Sequence, residues 1–112
     1  MAYNPDYLVL MQNVGGKVGF KDWLYDTADA TATVDTAGYI SDAKARKMEK
    51  GDRVYVRIWT TAVPAANSEK LTAAGSANIL ISSGFHWVIG VDATTGAADL
   101  TNTLALTATN TD

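Results

Sequence analysis

The sequence predicts a mainly β fold, a single-domain β-barrel or β-sandwich with one short helix, and three observations predict it. Residues 53–59 (Arg-Val-Tyr-Val-Arg-Ile-Trp) alternate strictly, with Val54, Val56 and Ile58 on one side and Arg53, Tyr55, Arg57 and Trp59 on the other. That period of two marks a strand with one buried face. Residues 85–91 place Phe85, Trp87, Ile89 and Val91 on one heavy side. Residues 92–96 (Asp-Ala-Thr-Thr-Gly) then combine a turn-starting Asp with a Gly suited to positive φ, so residues 97–106 return as the next strand. At 112 residues, 47% of them hydrophobic and 19% charged, the chain has room for one domain and one core.

Taken in order, residues 1–6 are expected to fray, and residues 7–14 and 20–25 to form two strands around Gly15-Gly16, which permits a turn or a bulge. Residues 41–50 read as the one helix, with Ser41 as N-cap, Asp42 at the positive end of the dipole and Gly51 as the stop. Ile40 and Ala45 occupy the positions of a weak hydrophobic staple, while Lys44 stands where a capping box needs Glu or Gln. Residues 60–77 show no period and read as a long loop before a short strand at 78–81. The end of the chain, residues 109–112, is expected to fray like its start. The heavier parity of each strand gives an expected core of Val54, Val56, Ile58, Trp87, Ile89 and Leu104.

Charge and composition narrow the function. A net charge of -3 gives no basic footprint for phosphate backbones, so nucleic acid is not an expected partner. Neither an export signal nor a membrane anchor is expected, because the longest early apolar run, residues 8–11, is too short for either. The absence of cysteine excludes disulfides and thiolate metal sites, and it is compatible with synthesis in a host cytoplasm.

No catalytic motif emerges. His86 is the single histidine, set in a strand beside Trp87, and reads as a packed or subunit-contact histidine rather than a base. Asp22, Asp26, Asp29, Asp35 and Asp42 are scattered over loop-like sequence and do not fit a calcium loop, whose central Gly and closing Glu are missing. Gly15-Gly16-Lys17 lacks the upstream Gly and the following Ser or Thr of a phosphate-binding loop, and it reads as a β-turn. Lys44, Arg46, Lys47 and Lys50 are interleaved with Asp42, Glu49 and Asp52, the pattern of a solvated face. The expected catalytic, cofactor and metal sites are therefore none, and the expectation is that the protein is not an enzyme.

The less ordinary feature is the second face of residues 53–59. Arg53, Tyr55, Arg57 and Trp59 combine residue types enriched in binding hot spots, and they are the candidate contact between chains or with a partner. The competing reading packs this face inside the domain, with Arg stems lying on aromatic rings.

Residues 23–43 (Trp-Leu-Tyr-Asp-Thr-Ala-Asp-Ala-Thr-Ala-Thr-Val-Asp-Thr-Ala-Gly-Tyr-Ile-Ser-Asp-Ala), followed by Gly51-Asp52 and Val54-Tyr55-Val56, resemble a pattern of small virion proteins of tailed phages and gene-transfer particles. That pattern runs as an aromatic-rich strand, D-T-x-A-T-V, a Gly-Tyr step, a short helix, then G-D and an apolar strand. Residues 88–100 resemble the closing strands of the same proteins. The resemblance implies a capsid decoration protein, or a head-fibre or head-spike base, that binds the outer shell as a multimer. Its implied partners are copies of itself, with a trimer as the first expectation, and the major capsid protein or other virion subunits; its implied location is the virion. Ending at Asp112, the sequence departs from longer fibre proteins, which makes a short shell-bound piece the more natural version. A tail-tube, connector or fibre-base component is the nearest rival. A small carbohydrate-binding β domain, using Trp23, Trp59 and Trp87 as stacking platforms, is the rival from another class.

Overall fold

The computed structural model describes residues 3–17, 19–64 and 80–106, and across these the chain is mainly β. A 3-10 turn at Pro5–Tyr7 leads into β1 (Leu8–Val14) and β2 (Phe20–Thr27), and a four-residue α1 (Thr31–Val34) follows. Then come β3 (Arg53–Trp59), β4 (Leu80–Val91), β5 (Ala98–Leu100) and β6 (Leu104–Leu106). The six strands form one sheet in the order β1-β2-β3-β4-β5, with β6 also paired to β4. Every pairing is antiparallel except β2 with β3, which run parallel. No pairing among the described residues joins β1 to β5 or β6, so the sheet is not closed into a barrel there.

The parallel pair dictates where the core sits. Two neighbouring parallel strands cannot be joined by a tight turn, so residues 28–52 must cross over the sheet. The crossing brings Val34, Ile40, Ala43 and Met48 into one buried cluster with Leu8, Trp23, Tyr25, Val54, Val56, Ile58, Val88 and Leu100. Val54, Val56 and Ile58 are thus in the core, as their periodicity predicts.

Polar bonds fasten this cover to the sheet. The buried Asp52 carboxylate accepts the Trp23 indole N–H at 3.1 Å and the Glu49 backbone N–H at 2.9 Å. On either side of it, Gly51 N–H donates to the Val88 carbonyl and Val88 N–H to the Asp52 carbonyl. Ala98 N–H donates to the Ile40 carbonyl, and Lys44 N–H to the Gly96 carbonyl. Val34, Ile40, Ala43, Met48 and the Gly51-Asp52 step therefore build the layer that seals one face.

The expected helix at 41–50 is not formed. Met48 N–H bonds the Ala43 carbonyl and Lys47 N–H the Lys44 carbonyl, while Lys47 adopts a φ of 66°. This paired pattern with a left-handed residue is a helix-terminating motif, so the chain completes one turn and stops before Gly51. Asp42 does not serve the helix dipole; its carboxylate takes the Tyr3 hydroxyl and the Arg46 guanidinium. These bonds, with Arg46 donating to the carbonyls of Pro5 and Leu8, also hold residues 3–6, which were expected to fray. The tail 109–112 and most of the expected loop 60–77 lie outside the described residues.

The C-terminal half brings a second correction. The strands expected at 78–81 and 85–91 form one continuous strand from Leu80, and its buried side is the lighter one: His86 and Val88 are sealed, while Trp87 is 52% and Ile89 51% exposed. Register is the reason. Val54 stands opposite His86 and Arg53 opposite Trp87, and directly opposed residues share a face. The return strand is likewise broken: β5 pairs with the end of β4 and β6 with its middle, and the turn between them sends Leu104 outward at 62% exposure. Gly84 permits that close approach of β6, since a Cβ there would collide with the Thr103 hydroxyl and the Leu104 carbonyl. The turn after β4 forms as predicted. Asp92 accepts from the N–H groups of Thr94 and Thr95, and Gly96 takes a φ of 81°.

Candidate functional site: the outer sheet face

Because the crossover covers one side of the sheet, the other side carries no layer among the described residues. Register organises what it displays. Val9 stands opposite Leu24, Leu24 opposite Tyr55, Tyr55 opposite Phe85 and Phe85 opposite Leu104. These five partners form an apolar row across the sheet, with Val9 51% exposed at one end and Leu104 at the other. On one side of the row lie Asp22, Arg53 and Trp87, and on the other Asp26, Arg57 and Ser83.

Of the four residues singled out from the sequence, Arg53, Tyr55 and Arg57 alternate onto this face and Trp59 packs against Arg57. Arg53 binds Asp22 through two bonds of 3.1 and 2.7 Å, and its guanidinium lies over the Phe85 ring at 4.7 Å. Tyr55 packs on Phe85 with ring centroids 5.2 Å apart. Arg57 grips Asp26 at 2.6 and 2.7 Å, and these hydrogen bonds hold its guanidinium pKa above the ordinary value. The charges of both Arg residues are satisfied within the chain, and their side chains keep partial exposure. Trp59, where the pairing of β3 with β4 slips, is only 8% exposed but stays beside the second pair: its ring lies 5.7 Å from the Arg57 guanidinium and its indole N–H points to Asp26 at 3.5 Å.

Sequence reasoning misses the larger part of this face: the expected core includes Trp87, Ile89 and Leu104, and Phe85 is placed on the same heavy side as Trp87 and Ile89. The signal that identifies them is cross-strand register with Arg53 and Tyr55, which needs the pairing to be known. Of the three Trp residues, Trp23 and Trp59 are buried and only Trp87 is offered to solvent, which removes two of the expected carbohydrate-stacking platforms.

The remaining candidates are engaged in structure. His86 is fully buried, with Nδ1 2.9 Å from the Thr101 carbonyl. Asp29 accepts the Tyr39 hydroxyl at 2.6 Å, and Lys44 reaches the Ala93 carbonyl. Tyr3, Tyr25 and Tyr39 pack ring against ring beside the 3-10 turn. Burial, followed by hydrogen bonds to Asp42 and Asp29 respectively, pushes the phenols of Tyr3 and Tyr39 well above their usual range. The cleft between Tyr3, Tyr7, Tyr25 and Asp26 presents polar groups already in use: Tyr25 Oη accepts the Asn4 N–H and meets the Tyr39 hydroxyl, and Asp26 holds Arg57. Among the described residues no three His, Cys, Asp or Glu side chains gather as a metal site, and no helix is long and apolar enough to cross a membrane.

The outer face is thus a surface of apolar and aromatic side chains with two Arg–Asp pairs, and no family model, curated protein or solved structure matches the chain.

Proposed function

We propose that this chain is a non-enzymatic structural protein of a phage-like virion, of the capsid-decoration or head-fibre and spike-base type, acting by adhesion to the shell and to copies of itself. The observation that carries the adhesive reading is the uncovered row from Val9 to Leu104, flanked by the exposed Trp87 and Ile89. Contiguous apolar surface of this kind marks interaction sites on small soluble domains. The virion assignment rests on the resemblance of residues 23–43 and of the strands that follow. Repeated weak contacts summed over a lattice would stabilise a container without any chemistry at the contact.

The test is location. Purified protein added to particles of the parent phage that lack it should co-sediment with the heads in a saturable ratio. A Trp87→Ser, Ile89→Ser double variant that folds normally should bind at least about tenfold more weakly, a loss of roughly 1.4 kcal/mol. Binding to tails alone would move the protein to the tail-tube or fibre-base reading, and binding to neither would overturn the virion reading.

A further inference from the structure

Among the described residues, the buried side-chain polar atoms without a hydrogen-bond partner are His86 Nε2 and Thr103 Oγ1. We infer that His86 is an acid-sensitive clasp on the last strand, holding β6 against β4 while its ring is neutral and releasing it when the ring takes a second proton. Because β6 carries Leu104, the end of the outer row, the clasp also makes the adhesive surface responsive to pH. That last step rests on the adhesive reading above, and the clasp itself does not.

The sheet makes the two orphaned atoms neighbours. Gly84, His86 and Val88 share the buried parity of β4, and the Thr103 hydroxyl lies over Gly84. His86 Nδ1 is 2.9 Å from the Thr101 carbonyl, which can only accept, so the neutral ring carries its proton on Nδ1 and leaves Nε2 bare. Thr101 is tied to the next residue of β4 as well: its N–H donates to the Trp87 carbonyl, and its hydroxyl accepts the Trp87 N–H. Residues 101–103 are the whole connection between β5 and β6. One imidazole therefore fixes the point where the chain leaves β5 and enters β6.

A second proton has no counter-charge there. The ring is fully buried. Opposite it on β3 stands Val54, while Arg53, Tyr55 and Arg57 turn to the outer face. Asp52 is the nearest acid on the buried side, and its carboxylate is engaged by the Trp23 indole and the Glu49 backbone. Asp99 lies on the exposed parity of β5. The cover contributes Val34, Ile40, Ala43 and Met48, and Tyr25, Tyr39 and Asp29 close a hydrogen-bonded chain of their own. A charge buried without a counter-ion is costly, whereas an imidazole in water takes its second proton near pH 6.5. Thr101 and Thr103 are half-buried and Asn102 is exposed, so lifting this connection brings the ring to water. From pH 7.5 to pH 5.5 the opened form should gain about tenfold.

Hydrogen exchange provides the test, since β6 is held to β4 by the pairs Leu106 with Ser83, Ala105 with Gly84 and Leu104 with Phe85. After correction for intrinsic rates, protection of the amides of residues 104–106 should fall about tenfold more than that of Val54 and Val56 between pH 7.5 and pH 5.5. His86→Asn keeps an N–H donor for the Thr101 carbonyl but does not titrate, and it should abolish the difference. An unchanged ratio in wild type, or the same fall in the variant, would overturn the inference. Should the variant not fold, the imidazole nitrogen shifts of wild type decide: a charged ring with β6 still protected means that Thr103 or Asp52 accommodates the proton, and no clasp exists. Particle binding at the two pH values is read separately. Weaker binding at pH 5.5 supports the coupling, and equal binding with β6 released overturns it. Binding at neither pH counts against the adhesive reading, and exchange alone then judges the clasp.

Discussion

Arg53 lies directly opposite Asp22 across the parallel pairing of β2 and β3, with its guanidinium sandwiched between that carboxylate and the Phe85 ring. The equivalent pair Arg57 with Asp26 has side-chain exposures of 26% and 16%, against 42% and 9% for the first. Removing the Arg of a pair strands its carboxylate; Asp22 is the more buried of the two, while Asp26 keeps the Trp59 indole N–H at 3.5 Å. Arg53→Ala should therefore lower stability by about 1–3 kcal/mol, and Arg57→Ala by less. Urea midpoints of the two variants check the order.

Ile58 and Ile89 are the same residue type on opposite faces, one buried and the other half exposed. Ile58→Ala should cost about 2–5 kcal/mol, and Ile89→Ala less than about 1 kcal/mol in the isolated chain. A reversed order in thermal unfolding would invalidate the assignment of faces.

Gly84 faces the Thr103 hydroxyl and the Leu104 backbone closely enough to exclude a methyl group. Gly84→Ala should destabilise by about 1–3 kcal/mol, as overpacking does. Amide exchange should place the damage in β6 and its partner residues on β4, because the backbone of Leu104 cannot yield without loosening that pairing.

Lys47 is the one non-glycine residue described with positive φ, and its side chain is exposed. Lys47→Gly should raise stability by about 1 kcal/mol by relieving the left-handed strain, measured as a higher unfolding midpoint with an unchanged denaturant slope.

Tyr39 and Asp42 give the fold opposite pH limits. For Tyr39 the folded pKa lies above the unfolded value, burial being the main cause and the Asp29 bond the next. Its contribution is therefore complete below about pH 10 and declines as pH rises beyond it. For Asp42, burial alone would raise the pKa, but the bonds from Tyr3 and Arg46 outweigh it and hold the carboxyl below its ordinary value. Its contribution is present above the usual carboxylate range and fades as pH falls through the lowered value. Tyr39→Phe should flatten the alkaline loss above about pH 10, and Asp42→Asn the acid loss below about pH 4. Unfolding midpoints across pH provide the check.

The strands were legible where one parity was unambiguous. Val54, Val56 and Ile58 announced both their strand and its buried side, because the Arg residues between them have no place in a core. Residues 85–91 announced a strand but not its direction of facing. Both parities there hold apolar residues, and the choice is made by pairing Val54 with His86, a long-range relation that local periodicity does not contain. The helix at 41–50 failed for a similar reason: Lys44 and Ile40 spend their backbone groups on Gly96 and Ala98, and such tertiary bonds override a weak local propensity. The candidate surface was legible through Arg53, Tyr55 and Arg57, and its apolar majority was hidden until register was known.

The central position of β3 also governs the order in which the fold assembles. β1 and β2 are joined by a short turn, and β4, β5 and β6 follow one another closely, so both groups can form early. β3 is separated from each neighbour by a long stretch, residues 28–52 on one side and 60–79 on the other. Both loop-closure entropies fall on the same strand, and contact order, rather than the strength of its Val and Ile contacts, sets how fast it docks. Shortening the 60–79 connection would accelerate folding, whereas residues 28–52 carry core contacts of Val54, Val56 and Ile58 and cannot be cut without cost.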